Sequence, residues 1–318
     1  MDIFITILAS LVLIGILLFV APAIVVFLIL FRGKRFPDLD KQDLTGTQYE
    51  PYKDLLAEDI GFFRNRKMRS VEVRSFDGKT LRGQYLDGGF DKTAILIHGY
   101  RSSPFNNFAV LGRFLYEEQG FNLLFADNRA TGRSEGAFSG MGLLEKYDVR
   151  SWERYVSKKT SAREILIAGV SMGATSIAFT ADHLDPKKVK GVILDCGFEC
   201  PRDQLLRMSE HYRPLPGKLI LPLVEFMVRI ILRVDLNENT TKHLSRMTIP
   251  ALFIHGEQDD TVPFYEGQNA YRECSGPKMR LFVEDAGHAT AFYAHLEEGK
   301  RVVSQFLEQF FGHPYYEE

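Results

Sequence analysis

Six short apolar runs, TAILIHG, NLLFADN, ILIAGVS, GVILDCG, PALFIHG and MRLFVED, recur between Thr93 and Asp285. Helix-length segments lie between most of them: Asn106 to Gln119, Leu143 to Lys158, Met172 to His183 and Pro263 to Glu273. A last one, Ala291 to Phe311, gathers Phe292, Leu296, Val303, Phe306, Leu307 and Phe310 on one side. Strands alternating with helices predict a mostly parallel twisted sheet with helices on both faces, its functional groups at the C-terminal strand ends. Ahead of this rhythm, VEVRSFDGKTLRGQYL alternates around Asp77-Gly78, a hairpin signal. Tyr49 to Arg66 reads as an amphipathic helix through Tyr52, Leu55, Leu56, Ile60 and Phe63.

The N-terminus obeys a different rule. Ile3 to Phe31 is 29 residues without a charge, more than the roughly 20 needed to cross a bilayer core. At about 1.5 Å per residue such a helix overshoots a core about 30 Å thick, so tilt or a bend near Pro22 is expected. Ala21-Pro22-Ala23 loosely resembles a signal-peptidase site, but no Lys or Arg precedes the run and eight more apolar residues follow Ala23. The run is therefore read as a retained single-pass anchor. Arg32, Lys34 and Arg35 follow it, and Asp2 alone precedes it, which puts the C-terminal domain in the cytoplasm by the positive-inside rule. The organisation read from the chain is an anchor with basic flank over 1–35, a linker and amphipathic helix over 36–70, and the α/β domain over 71–318.

Two G-x-S-x-G patterns compete for chemistry: Gly169-Val170-Ser171-Met172-Gly173 and Gly132-Arg133-Ser134-Glu135-Gly136. A nucleophilic serine of this type sits on a sharp turn from strand to helix, where flanking glycines let the two backbones pass closely. Ser171 has a strand-like run before it and a helix-like run after it. Ser134 follows the polar loop Asn128 to Gly132 and leads into no apolar helix, so it is read as a turn or cap residue.

A serine hydroxyl needs a base, and the base needs an acid to orient it. In chain order the acid follows the nucleophile and the histidine comes last. His288, on the small-residue loop after MRLFVED, fits the base, since a neutral imidazole accepts a proton. Behind His255-Gly256, three acids share one loop: Glu257, Asp259 and Asp260. Nothing in their spacing separates them.

LIHGYRSS, DNRATGRSEG, GVSMGA and FIHGEQDDTVP with the following DAGHA resemble the motifs of the α/β-hydrolases, over about Val71 to Phe311. The likeness is to bacterial membrane-anchored serine hydrolases grouped with serine aminopeptidases, lysophospholipases and cinnamoyl-type esterases. The resemblance implies an α/β-hydrolase fold and a triad of Ser171, Asp259 and His288, because the family's H-G-x-x-D-x-x-V-P pattern selects Asp259. It makes Asp127 to Ser134 a structural loop, in which Ala130 replaces a usual glycine; Ala174 replaces a frequent glycine after the nucleophile. It also implies an oxyanion hole of backbone N–H groups from Met172 and Tyr100. His98 and His255 are then loop-bracing, Asp195 braces the acid loop, and Asp127 pairs with Arg129 or ties the loop by hydrogen bonds. His183, His211, His243, His295 and His313 have no matching context.

Hydrolases of this fold usually carry a cap where this chain has its insertion, about 200–249. Its core, LPGKLILPLVEFMVRIILRV, is a broadly apolar helix with a polar stripe at Glu225, Arg229 and Arg233, ordered for an i,i+4 pair. The expected activity is carboxylic-ester hydrolysis through an acyl-enzyme, on a small-molecule or lipidic ester. Peptidase, thioesterase and acyltransferase chemistry on the same triad, and a non-catalytic binding homologue, stay open alternatives. The bilayer is the expected partner of the N-terminal helix. A net charge of −2 with no Lys/Arg-rich tract gives no footing for nucleic acid. Neither cofactor nor metal is expected, since C-x-x-x-C at Cys196 and Cys200 without a nearby His pair is poor metal spacing; with Cys274 these are read as buried or idle thiols.

Overall fold

A computed structural model describes residues 2–33, 44, 46–211 and 217–311 of the chain; Lys34 and Arg35 of the basic flank, most of the linker and His313 lie outside them. Eight strands form one sheet: β1 (Arg69–Arg74), β2 (Thr80–Leu86), β3 (Lys92–Ile97), β4 (Phe121–Ala126), β5 (Glu164–Val170), β6 (Val189–Asp195), β7 (Ala251–Gly256) and β8 (Lys278–Val283). Their order is β1-β2-β4-β3-β5-β6-β7-β8. The hairpin centred on Asp77-Gly78 makes β1 and β2, and β2 meets β4 antiparallel; every other pairing is parallel. The helices are α1 (Asp2–Gly15), α2 (Ala21–Phe31), α3 (Lys53–Arg64), α4 (Pro104–Glu117), α5 (Glu145–Lys159), α6 (Met172–Ala178), α7 (Pro201–His211), α8 (Gly217–Ile231), α9 (Thr241–Leu244), α10 (Phe264–Glu273), α11 (Ala291–Ala294) and α12 (Leu296–Phe311).

Residues Gly33–Glu199 and Asn239–Glu318 form one compact unit. The alternation within each strand splits its core into two layers. Ala94, Leu96, Leu123, Phe125, Leu166 and Ala168 face one side, with Phe108 of α4 and Phe306 of α12. Ile95, Ile97, Leu124, Ile165 and Ile167 face the other, with Trp152 of α5 and Ile177 of α6. Leu56, Ile60 and Phe63 bury the apolar face of the expected amphipathic helix, α3, which packs on α4 within this unit. Two helices end sooner than their apolar spacing suggested. The segment after Ser171 leaves the α-helix at Ala178 and resumes as a 3₁₀ turn at Ala181–His183, and the last segment breaks at His295.

Residues Met1–Arg32 and Cys200–Glu238 form the second unit. A π-helical stretch, Ile16–Val20, joins α1 to α2, giving one helix from Ile3 to Phe31 that is long and apolar enough to cross a membrane. Within this unit α8 packs against both α2 and α7. The polar stripe foreseen on α8 is wired differently from its spacing. Glu225 pairs with Arg202 of α7, Arg229 with Asp235, and Arg233 stands beyond the helix end at φ 58°.

In the sheet unit, strand order reverses between β3 and β5. The chain passes from β3 through α4 to β4 on one side, then through α5 back to β5 on the other. Such a switch point opens a crevice at the C-terminal strand ends, where the loops after β3 and β5 part. The loop after β4 is pinned beside it by buried charge. Arg129 does not pair with Asp127; it forks onto Asp148 of α5 through Nε and Nη2, each at 2.7 Å, and reaches Asp77 at 3.2 Å. Asp127 instead accepts from the Arg133 N–H and Nε, both at 3.1 Å. Replacing Arg129 by Met should cost about 3–5 kcal/mol, because it strands the buried Asp148 carboxylate. Thermal unfolding of the full chain in detergent measures this, and an unchanged midpoint would contradict it.

Candidate active site

Ser171 stands between β5 and α6 with φ 54° and ψ −119°, a conformation L-residues avoid. Its N–H donates to the Asp195 carbonyl at 2.8 Å, and its carbonyl accepts from the Thr175 N–H at 3.0 Å. The turn can be this sharp because the residues two positions away on each side, Gly169 and Gly173, lack side chains. A Cβ on Gly169 would meet the Ala174 nitrogen at 2.5 Å, and one on Gly173 would meet the Ile97 carbonyl oxygen at 2.0 Å. The serine side chain is thereby left partly exposed at the switch point.

A chain of hydrogen bonds leads away from it. Ser171 Oγ lies 3.0 Å from His288 Nε2, and His288 Nδ1 lies 2.7 Å from Asp259 Oδ2. An ionised carboxylate only accepts, so Nδ1 carries the ring proton and Nε2 is left to accept the serine hydroxyl. Among the three acids the sequence left level, Asp259 is buried, whereas Glu257 and Asp260 are exposed. Asp259 Oδ1 accepts from the N–H groups of Thr261 at 2.9 Å and Val262 at 2.7 Å.

A second imidazole completes the acid's surroundings. His255 Nε2 lies 2.9 Å from the Val262 carbonyl and 3.3 Å from Asp259 Oδ2. Both neighbours accept, so this nitrogen is protonated and donates. Burial alone would raise the Asp259 pKa; hydrogen bonds from His255, His288 and the Val262 N–H outweigh it and hold the carboxyl well below the usual carboxylate range. His255 itself is pushed up, because Asp259 and the Val262 carbonyl outweigh its desolvation.

Asp195 and Cys196, at the end of β6, face the same region. Cys196 Sγ lies 4.0 Å from His288 Nε2, and burial raises its thiol well above the ordinary value, so it is held neutral. Burial likewise pushes the Asp195 carboxyl up to about 7 against the opposing pull of His255 and His288. The sequence reads His255 and Asp195 as braces and Cys196 as a buried or idle thiol, without placing them at the site. The available signal was that all three end strands on the edge where Ser171 projects.

The expected oxyanion donors stand on either side of the serine. Met172 opens α6, where first-turn N–H groups have no intrahelical acceptor. Tyr100 lies in the turn after β3, between Gly99 and an Arg101 held at φ 52°. A Cβ on Gly99 would sit 3.4 Å from Ser171 Cβ, so this turn runs directly beside the nucleophile. His98 fixes it: Nδ1–H donates to the Gly99 carbonyl at 2.8 Å, and Nε2 accepts the Asn128 N–H at 3.0 Å. The ring is fully buried and desolvation lowers its pKa, consistent with this neutral, bracing role.

Ser134 is built into the fold instead. Its hydroxyl donates to the Asp127 carbonyl at 2.7 Å and accepts the Arg82 N–H at 2.8 Å, tying the loop to β2. Nearby Ala130 occupies the left-handed region at φ 58°, which accounts for glycine being usual at its place in the motif.

Solved structures share the fold of this chain. An esterase of Pyrococcus furiosus, Pf2001, superposes with a TM-score of 0.64 at 25% identity, covering 77% of this chain and 93% of that one. The fold is that of the α/β-hydrolases. Est1E of Butyrivibrio proteoclasticus, solved with ferulic acid, matches the hydrolase fold at a TM-score of 0.60 and 18% identity, over 76% of this chain and all of that one. In sequence the chain is 27% identical to the uncharacterised protein YqkD of Bacillus subtilis, across 77% of this chain and 81% of that one. It is 38% identical to the human α/β hydrolase domain-containing protein 17B over 66 residues, 20% of this chain and 23% of that one. No protein-family model matches.

Because Asp259 is held ionised, mildly acid solution should not silence the site through this carboxyl. The stability its ionised form contributes is present above about pH 4 and is lost as pH falls through the lowered folded value. Asp259→Asn should leave the fold in place and cut reaction of Ser171 with an acylating substrate by about 10³–10⁴-fold, since an amide no longer enforces the required tautomer. Pre-steady-state acylation kinetics measure this, and a loss below tenfold would contradict the arrangement.

Proposed function

We propose that the chain is a serine hydrolase that cleaves carboxylic esters through an acyl-enzyme. The observation that carries this reading is the continuous path from Ser171 Oγ through His288 to the buried Asp259. Ser171 attacks the ester carbonyl as His288 Nε2 takes its proton. Asp259 stabilises the imidazolium that results, and the N–H groups of Met172 and Tyr100 receive the oxyanion. His288 then protonates the leaving alcohol. Water, deprotonated by the same ring, releases the acid and restores the serine.

The solved structures with this architecture include esterases, which favours an ester over other acyl compounds. An N-terminal helix apolar enough to cross a membrane supports a single-pass, membrane-tethered enzyme. With the positive-inside reading, the hydrolase unit faces the cytoplasm and meets hydrophobic or lipidic esters as well as soluble ones. Amides and thioesters use the same machinery, so the leaving group has to be assigned by turnover.

The full chain in detergent should hydrolyse p-nitrophenyl acyl esters. Ser171→Ala should lower the rate by about 10⁴-fold or more, while Ser134→Ala should keep turnover in whatever fraction folds. Undiminished hydrolysis by Ser171→Ala would remove the proposal. A parallel panel of amide, thioester and ester substrates with one acyl group ranks the alternatives.

A further inference from the structure

Along α8, Leu219, Phe226 and Ile230 are 63%, 62% and 59% exposed. At 100° per residue they fall within an arc of about 40°, and the half-buried Leu223 lies at its margin. Lys218 and Arg229, both exposed, border the stripe on one side, with Arg229 also 3.5 Å from Asp235. Apolar side chains edged by basic ones are the pattern of a helix lying in a membrane interface. The stripe belongs to the same compact unit as the N-terminal helix.

The opposite face of α8 is occupied. Ile220, Leu221, Val224 and Val228 are buried, and α8 packs against α2, whose buried residues are Ala23, Phe27, Leu30 and Phe31. A 29-residue helix is about 44 Å long, so a core about 30 Å thick leaves its last turns in the headgroup zone. Those turns belong to α2, the element that α8 packs against. With 15 residues α8 reaches only about 22 Å and is too short to cross.

We infer that α8 is a second membrane contact: it lies along the interface beside the anchor, with Leu219, Phe226 and Ile230 set into the lipid. This rests on the proposed anchor, since α8 takes its level from α2. Lipid is the occupant argued for because the stripe adjoins, within one unit, the helix whose own exposed side chains Ile24, Val25, Leu28 and Ile29 are apolar. The unit that holds the anchor and α8 then has two points on the bilayer, which fixes that unit's own orientation where a single tether would let it swing.

Tryptophan fluorescence separates the two statements. The full chain is placed in nanodiscs of phosphatidylcholine, either plain or brominated high on the acyl chain. Native Trp152 is buried in the sheet unit and supplies an unquenched baseline. Phe19→Trp reports the anchor, and Phe226→Trp and Leu219→Trp report the stripe at two independent positions. The added emission of all three should fall roughly twofold or more in brominated lipid. Quenching of Phe19→Trp with none at either stripe position would overturn the inference and leave the anchor standing. Absence of quenching at all three would end both. Stripe emission that responds to the number of chains per disc, and not to bromine, would assign the face to a second copy and also overturn the inference.

Discussion

The conformation of one residue organises the sheet unit. Ser171 is held at positive φ at a cost of order 1–3 kcal/mol, and it persists because everything around it leaves no other path. The chain leaves β5 through Gly169, reverses at the serine and enters α6 at a point where Gly173 lies against the carbonyl end of β3. That contact fixes the distance between β3 and β5 at the switch point. It therefore sets the spacing between the serine, on one strand, and the Tyr100 turn, on the other. The Ser171 N–H bond to Asp195 extends the constraint to β6. A side chain at Gly173 would press on the end of β3, and one at Gly169 on the start of α6, at the edge where the chemistry is proposed.

The second dependency is electrostatic. Asp259 is removed from water, which by itself would favour its neutral form, yet four donors converge on its two oxygens. Two come from backbone N–H groups of its own loop and two from histidines. Cys196 is held neutral and the Asp195 carboxyl is pushed up to about 7, whereas Asp259 stays ionised and is the carboxylate that hydrogen-bonds the His288 ring. His255 explains why a loop of small and acidic residues can hold such a charge steady. It stands near the end of β7, four residues before the acid, and Gly267 gives its ring room: a Cβ there would meet Nδ1 at 2.3 Å.

Much of this was legible in the residues. The six strands β3 to β8 were legible as short continuous apolar runs, the mark of parallel strands, and β1 and β2 as an alternating hairpin. The choice of Ser171 over Ser134 followed from local context, strand before and helix after, and the structure puts only Ser171 beside a histidine. What local reading missed were pairings set by tertiary approach. Arg129 finds Asp148 nineteen positions on, not the Asp127 two positions back, because the loop turns that guanidinium towards α5. Glu225 turns to Arg202 of a different helix rather than to Arg229 one turn away. The convergence of His255, Asp195 and Cys196 on the site was present only as a shared strand-end position. The preference for Asp259 over Glu257 and Asp260 came from motif resemblance; its physical basis, burial with four donors, required coordinates.

The proposed chemistry requires that one particular serine, Ser171, be made nucleophilic by its surroundings. The direct measurement is to treat the full chain with a fluorophosphonate, digest it, and locate the phosphonyl adduct by tandem mass spectrometry. The account predicts one adduct, on Ser171, that disappears when His288 is replaced by Ala. An adduct on Ser134 or another serine, or equal labelling of Ser171 without His288, would contradict it.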